Sequence, residues 1–141
     1  MADDLDAAEA AAEAAAESAF ESALAERERA VDALLRGGKA VDAARRALDA
    51  PPFASKAPAT KERSAAAVAR ALTALAARGD GETKEFLDAL DGAAADALMK
   101  YLYRALARPE AAGALLKLHG QLVERHGVGC IVRAIVDRKT A

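Results

Sequence analysis

The sequence predicts an all-α protein: six to seven short helices in an α-α superhelical bundle, preceded by a long N-terminal Ala/Glu-rich helical arm. Three observations carry this. Apolar residues recur at three- and four-residue spacing through most of the chain. The alternating Val-, Ile- and Thr-rich runs that would mark strands are missing. The composition is 53% hydrophobic but only 4% aromatic, with alanine supplying much of the apolar share. Ala, Leu, Glu and Arg favour helix because their side chains lose little rotamer freedom there. A chain of 141 residues is long enough to bury a core without staples, roughly 68–70% of its unfolded surface.

Residues 4–36 read as one helix. Its stripe of Glu9, Glu13, Glu17 and Glu21 places like charges at i,i+4, a small local penalty that the alanines outweigh. Residues 2–18 have nothing that drives burial and read as a solvated, partly disordered acidic helix. From Phe20 onward, Leu24, Val31 and Leu35 share a face, and Gly37-Gly38 ends the helix. A second helix, 39–49, turns Ala40, Val41, Ala44 and Leu48 inward and stops at Pro51-Pro52. After a loop, Thr60 is placed to cap a third helix, 61–78, with Val68, Leu72 and Leu75 inside. Gly79-Asp80-Gly81 reads as a turn before a fourth helix, 82–90, and Asp91-Gly92 breaks that helix. Helices over 93–107, 109–126 (with Pro109 in its first turn) and 128–138 follow.

The last of these and the helix at 97–108 are apolar over most of their circumference. Leu98, Met99, Tyr101, Leu102, Tyr103 and Leu106 leave Lys100, Arg104 and Arg108 as a narrow basic ridge. Val128, Cys130, Ile131, Val132, Ala134, Ile135 and Val136 leave only Arg133, Asp137 and Arg138 charged. Helices of this kind are covered on more than one side. Core is the expected reading for most of these side chains, with a partner protein as the alternative cover.

Charge divides the chain. Residues 1–30 hold nine acids against Arg27 and Arg29, a net −7. The rest holds 18 basic against 13 acidic residues, a net +5. The division is therefore an acidic arm, 1–30, and a helical body, 31–141. Neither part has the dense basic face that nucleic acid requires. The start has no positive n-region or apolar h-region, and no 18-residue apolar run suits a membrane. One cysteine cannot form an internal disulfide, so the expected compartment is the cytoplasm.

Catalytic signals are thin. Cys130 with His126 four residues before it could pair as nucleophile and base on one continuous helix, but Gly127 and Gly129 intervene. His119, His126, Cys130 and Glu124 make a poor metal set, and no phosphate loop occurs. Asp88 and Asp91 fall at a helix end, where a solvated surface is the ordinary reading. The chain is expected to be no enzyme and to hold no cofactor or metal.

Several motifs fall in one order. They are Leu35-Arg-Gly37, the Ala40 to Leu48 helix, Pro51-Pro52, Ser55-Lys56, Lys61-Glu-Arg63, Leu98-Met-Lys-Tyr-Leu-Tyr-Arg104, Leu115-Leu-Lys-Leu-His119, Gly127-Val-Gly-Cys-Ile-Val-Arg133 and Arg138-Lys-Thr140. Together, over roughly residues 31–141, they resemble the smallest, all-helical subunit of the actin-related protein 2/3 complex. The resemblance implies an α-superhelical structural subunit without active site or nucleotide, ATP belonging to the actin-related subunits. It implies a body packed against the β-propeller subunit and the smaller core scaffold subunit, and an arm reaching toward actin-related protein 2. The actin filament would be met only through the complex, which nucleates branched filaments, and the location would be the cytoplasm and its cytoskeleton. The arm departs from the family's pattern: acidity is kept, but Phe20 is its only aromatic. Such an arm could lie along a partner through Phe20, Leu24 and Val31. The candidate contacts of the body are Met99, Tyr101, Tyr103, Arg104, Arg133, Arg138 and Lys139. The rival reading is a free-standing helical-repeat adaptor of tetratricopeptide kind that binds a peptide, though the chain lacks a 34-residue period.

Overall fold

The computed structural model describes residues 2–108, 113–137 and 139–141. They form seven α-helices: α1 (Ala2–Arg36), α2 (Ala40–Ala47), α3 (Pro58–Ala77), α4 (Asp80–Asp88), α5 (Gly92–Leu106), α6 (Gly113–His126) and α7 (Gly129–Val136). No strand occurs among the described residues. The start expected for α6 at Pro109 lies outside them.

Residues 2–16 of α1 are exposed on every side. Their alanines and acids make a helix that needs no cover, as propensity alone allows. Packing begins where the sequence changes: Phe20 is half-buried, and Leu24, Arg27 and Val31 are buried on one face. That face meets α2 and α3. The helix ends in a Schellman turn, with Gly38 at φ +72. Its N–H donates to Leu35 O at 3.1 Å and the Lys39 N–H to Leu34 O at 2.9 Å. A side chain at Gly38 would strain that left-handed backbone.

The other boundaries have local causes, and two differ from the expected ones. The third helix begins at Pro58, not after Thr60. Pro58 supplies the fixed φ of a first turn, Ala57 is the cap residue with no side-chain bond, and Thr60 is buried within that turn. The fourth helix begins at Asp80, inside the expected turn. Gly79, at φ +102 and ψ 178, takes a conformation open only to glycine and so makes the whole corner. Asp80 and Glu82 then stand in a first turn, where the helix dipole favours them. Asp91 caps α5, accepting the Ala94 N–H at 2.7 Å.

The helices stack in sequence around one core. α3 lies between α1 and α2 on one side and α5 and α6 on the other, α4 bridges α2 and α6, and α7 closes on α5. Phe86, Leu72, Leu75, Leu87, Leu98, Met99, Leu102 and Leu122 are fully buried. The core expectation thus holds for α5. It fails for α7, whose Cys130 alone is buried; Val132, Ile135 and Val136 are 55, 67 and 69% exposed. The helix is eight residues long and touches little besides α5 and α6, so no element among the described residues covers its outer side.

This difference predicts a contrast in the isolated chain. Leu98→Ala should cost about 3 kcal/mol, as buried leucine truncations do. Ile135→Ala should cost less than about 0.5 kcal/mol, as surface changes do. Urea unfolding followed by circular dichroism measures both.

Candidate interaction surface

The structure separates the candidate contacts into core and surface. Leu24 and Met99 are completely buried, and Tyr101 nearly so; they hold the chain together and present nothing outward. The Tyr101 hydroxyl lies 2.6 Å from Ser64 Oγ on α3. Its ring sits 5.4 Å from that of Phe53 in the α2–α3 loop. Burial pushes the phenol's pKa up, against the Ser64 hydrogen bond and the nearby Arg27 and Arg104 charges.

Phe20 stays half-buried beside a shallow groove of about 330 Å³ that it shares with Ala54 and Lys56. Tyr103 is exposed and stacks edge-on against His119, with centroids 5.7 Å apart. Arg133 is exposed and donates to Asp96 at 2.7 Å, a partner that raises its pKa. The Lys139 side chain is at the surface; its backbone N–H donates to Asp137 at 3.0 Å and its carbonyl accepts from Lys100 at 2.8 Å. Arg138 lies outside the described residues.

The basic ridge of α5 is neither a free cationic stripe nor mere solvated surface. Arg104 and Arg108 both donate to Glu62 of α3, and Arg104 also donates to the Ala141 carbonyl at 2.6 Å. Lys100 donates to Asp137 and sits 4.5 Å over the Phe53 ring. The ridge is spent on tying the C-terminal tail and α3 to α5. Asp137 accordingly has a lowered pKa, first from the Lys100 hydrogen bond and then from the Lys139 N–H.

The surface that sequence reasoning undervalued is the outer side of α7. Val128 is 66% exposed beside Val132, Ile135 and Val136, an apolar patch of the kind that marks protein contacts. A groove of about 790 Å³ between α2 and the first half of α5 shares Phe53, Ala93 and Ala97 with a second groove that ends at Val136. The apolar track therefore continues from α2 to α7. The signal was present as the apolar circumference of the last helix, but composition does not tell which side of a helix a neighbour covers.

The residues considered for chemistry are engaged elsewhere and not with each other. His126 Nε2 donates to the Leu87 carbonyl at 3.1 Å. Cys130 Sγ donates to the Gly127 carbonyl at 3.1 Å, so this histidine and cysteine do not form a nucleophile–base pair. Asp91 is a cap and Asp88 accepts from Arg125 at 3.0 Å. Among the described residues no cluster of three His, Cys, Asp or Glu could hold a metal ion, and no helix is long and apolar enough to cross a membrane.

The class is a stacked all-helical body whose basic ridge is paired with its own acids and whose last helix leaves an apolar patch outside. The chain belongs to the ARP2/3 complex 16 kDa subunit (p16-Arc) family, which it matches over residues 2–141, arm included. It is 35% identical over 117 residues to the actin-related protein 2/3 complex subunit 5 of Dictyostelium discoideum, covering 83% of each chain. It is 37% identical over 114 residues to subunit 5A of Arabidopsis thaliana, covering 79% of this chain and 82% of that one. It is 34% identical over 112 residues to the subunit 5-like protein of Homo sapiens, covering 78% and 71%. This membership replaces the free-standing repeat adaptor.

The tail's seat should depend on acid in one direction. Asp137 has its pKa lowered in the folded chain, so its contribution is complete above the ordinary aspartate value of 3.8 and is lost as pH falls through the lowered value. The Lys139 amide shift, followed by NMR, should hold from pH 7 to 5 and move only below about 3.8. Asp137→Ala, which removes the acceptor, should leave that amide in its released position at every pH.

Proposed function

We infer that this chain is a non-catalytic structural subunit of an actin-related protein 2/3 complex, supporting actin nucleation and branched filament assembly. The observation that carries this is the family match across residues 2–141, joined by identities near 35% over most of the chain. The family is one of complex subunits and not of enzymes, in keeping with a histidine and cysteine that are hydrogen-bonded to carbonyls. The working location is the cytoplasm with its actin cytoskeleton, and the other subunits of the complex are the partners.

Within that assembly we propose that the body docks on the propeller subunit and the core scaffold subunit, and that the arm extends toward actin-related protein 2. Two features support the body's part. The exposed apolar side of α7 is flanked by Arg133 and Lys139. Its valines and isoleucine are each worth about 1.5–3 kcal/mol when fully covered. Tyr103 is exposed on α5, a residue type that serves as an anchor in interfaces, whereas Arg104 is held by Glu62 and Ala141. For the arm, the support is fifteen consecutive exposed residues, 2–16, on a helix whose far end is packed into the body. That helix offers acidity and Phe20 to a partner.

Capture of the tagged chain from native lysate should recover both actin-related proteins and a propeller subunit. Their absence would contradict the assignment. Val132→Asp with Ile135→Asp should leave the isolated chain's unfolding midpoint within a few degrees and reduce that recovery at least about tenfold, since two apolar contacts worth more than 1.4 kcal/mol together are lost. Normal recovery with both aspartates in place would remove α7 from the interface.

A further inference from the structure

Two regions that reach outward, the α1 arm and the end of α7, are built on opposite sides of one short loop. On the arm side, the Glu17 carboxylate uses both oxygens. It accepts the Ser55 hydroxyl at 2.6 Å and the Lys56 backbone N–H at 2.6 Å. One turn earlier, Glu13 accepts from Lys56 Nζ at 2.6 Å. On the other side, Phe53 packs on Tyr101 and lies under Lys100 Nζ. Lys100 in turn holds Asp137 and the Lys139 carbonyl, the residues that follow the last turn of α7.

The loop between these ends is stiff. Pro51 and Pro52 fix φ at two of its positions, and Pro58 opens α3 directly after it. The Phe53 N–H donates to Pro51 O at 2.9 Å, the Ser55 N–H to Pro52 O at 3.1 Å and the Ala57 N–H to Ser55 Oγ at 3.1 Å. At its start Ala50 holds a left-handed φ of +45, strained for a residue with a side chain. The buried Arg27 of α1 donates to its carbonyl at 2.9 Å. The Phe53 and Ser55 amides both fold back on the Pro51-Pro52 pair, so the residues clasped at either end share one base.

We propose that the α2–α3 loop, residues 50–57, is a relay that couples the seating of the α1 arm at Glu13 and Glu17 to the seating of the α7 end at Asp137 and Lys139, through Phe53 and Lys100. A protein held at one end then changes how firmly the other end is seated. Thermodynamic linkage requires the effect to be equal in both directions. The two seated states are a loop clasped by both ends and a loop released by one.

The charged groups that face the clasp are Lys56 and Lys61 around Glu17, and Glu9, Glu13 and Glu17 around Lys56. At the other end they are Lys100 and Lys139 around Asp137. Each clasp holds one ion pair, Glu13–Lys56 and Asp137–Lys100; Glu13 and Asp137 are exposed and Glu17 is half-buried, so changes at these carboxylates spare the core.

Amide hydrogen exchange on the full chain, resolved by NMR, tests the relay. The Lys56 amide reports the arm clasp and the Lys139 amide reports the tail. Glu17→Gln should speed exchange at Lys56 and also at Lys139, the distant effect being about fivefold, the lower end of usual coupling between linked sites. Asp137→Ala should speed Lys56 by the same factor. Ser55→Ala, made on the loop side, should repeat the Glu17→Gln result. With Phe53→Ala added, each change should act only on its own end. The Leu72 and Leu118 amides should not change in any variant, which shows that the core is intact. A variant that affects only its own end while Phe53 is present would overturn the relay. So would a distant effect that survives Phe53→Ala.

Discussion

The contact between the Tyr101 hydroxyl and Ser64, 2.6 Å apart inside the core, fixes how α5 sits on α3, and the rest of the body takes its position from α5. Leu98, Met99 and Leu102 of the same helix fill the centre. Lys100 and Arg104, on the flanks of Tyr101, carry the tail beyond α7 and bind Glu62. A buried pair of hydroxyls satisfies itself only in one geometry, and separating them would strand two polar groups at a cost of about 1–3 kcal/mol each. That penalty sets the register between the two helices more sharply than apolar packing does, because leucines tolerate a small slip and hydroxyls do not.

From α5 the constraint spreads to the surface. Phe53 leans on Tyr101, so the α2–α3 loop is placed by the same residue. The loop meets α1 through Arg27 on one side and Glu17 on the other. The arm is consequently not an appendage joined at a point. Leu24 and Arg27, inside the stretch that is acidic overall, belong to the packed part, and the exposed residues 2–16 still touch the body through the Glu13–Lys56 ion pair. A subunit that must hold others in a fixed relation benefits from such a frame. Its internal ion pairs keep the basic ridge from competing for partners, and its unspent surface is the apolar side of α7.

Most of the architecture was legible in the sequence because each helix carries its own period and its own stop. Gly37-Gly38, Pro51-Pro52 and Asp91-Gly92 mark ends that the structure reproduces within two residues or so. The misplaced starts of α3 and α4 came from ranking cap chemistry wrongly. A proline at 58 outweighs a threonine at 60, and Gly79 needs no turn after it. The surface was less legible. Periodicity shows that α5 and α7 are apolar, but it does not show that α5 has neighbours on all sides while α7, the final element, has them on one. The basic ridge misled for a related reason: its acidic partners Glu62 and Asp137 lie 37 to 46 residues away in sequence, beyond any local pattern. Cys130 and His126 are close in sequence yet separated in role by Gly127, whose positive φ of 78 turns the chain between them.

The central claim is that this chain is a structural part of a branching machine and contributes no chemistry of its own. Reconstituting the complex with and without the chain, and counting filament branches by fluorescence microscopy, tests it most directly. The account predicts that branching falls sharply without the chain and returns in full when the chain is added, including a chain with Cys130, His119 and His126 all replaced, provided that variant is folded. Equal branching with and without it, or loss of branching with a folded triple variant, would contradict the account.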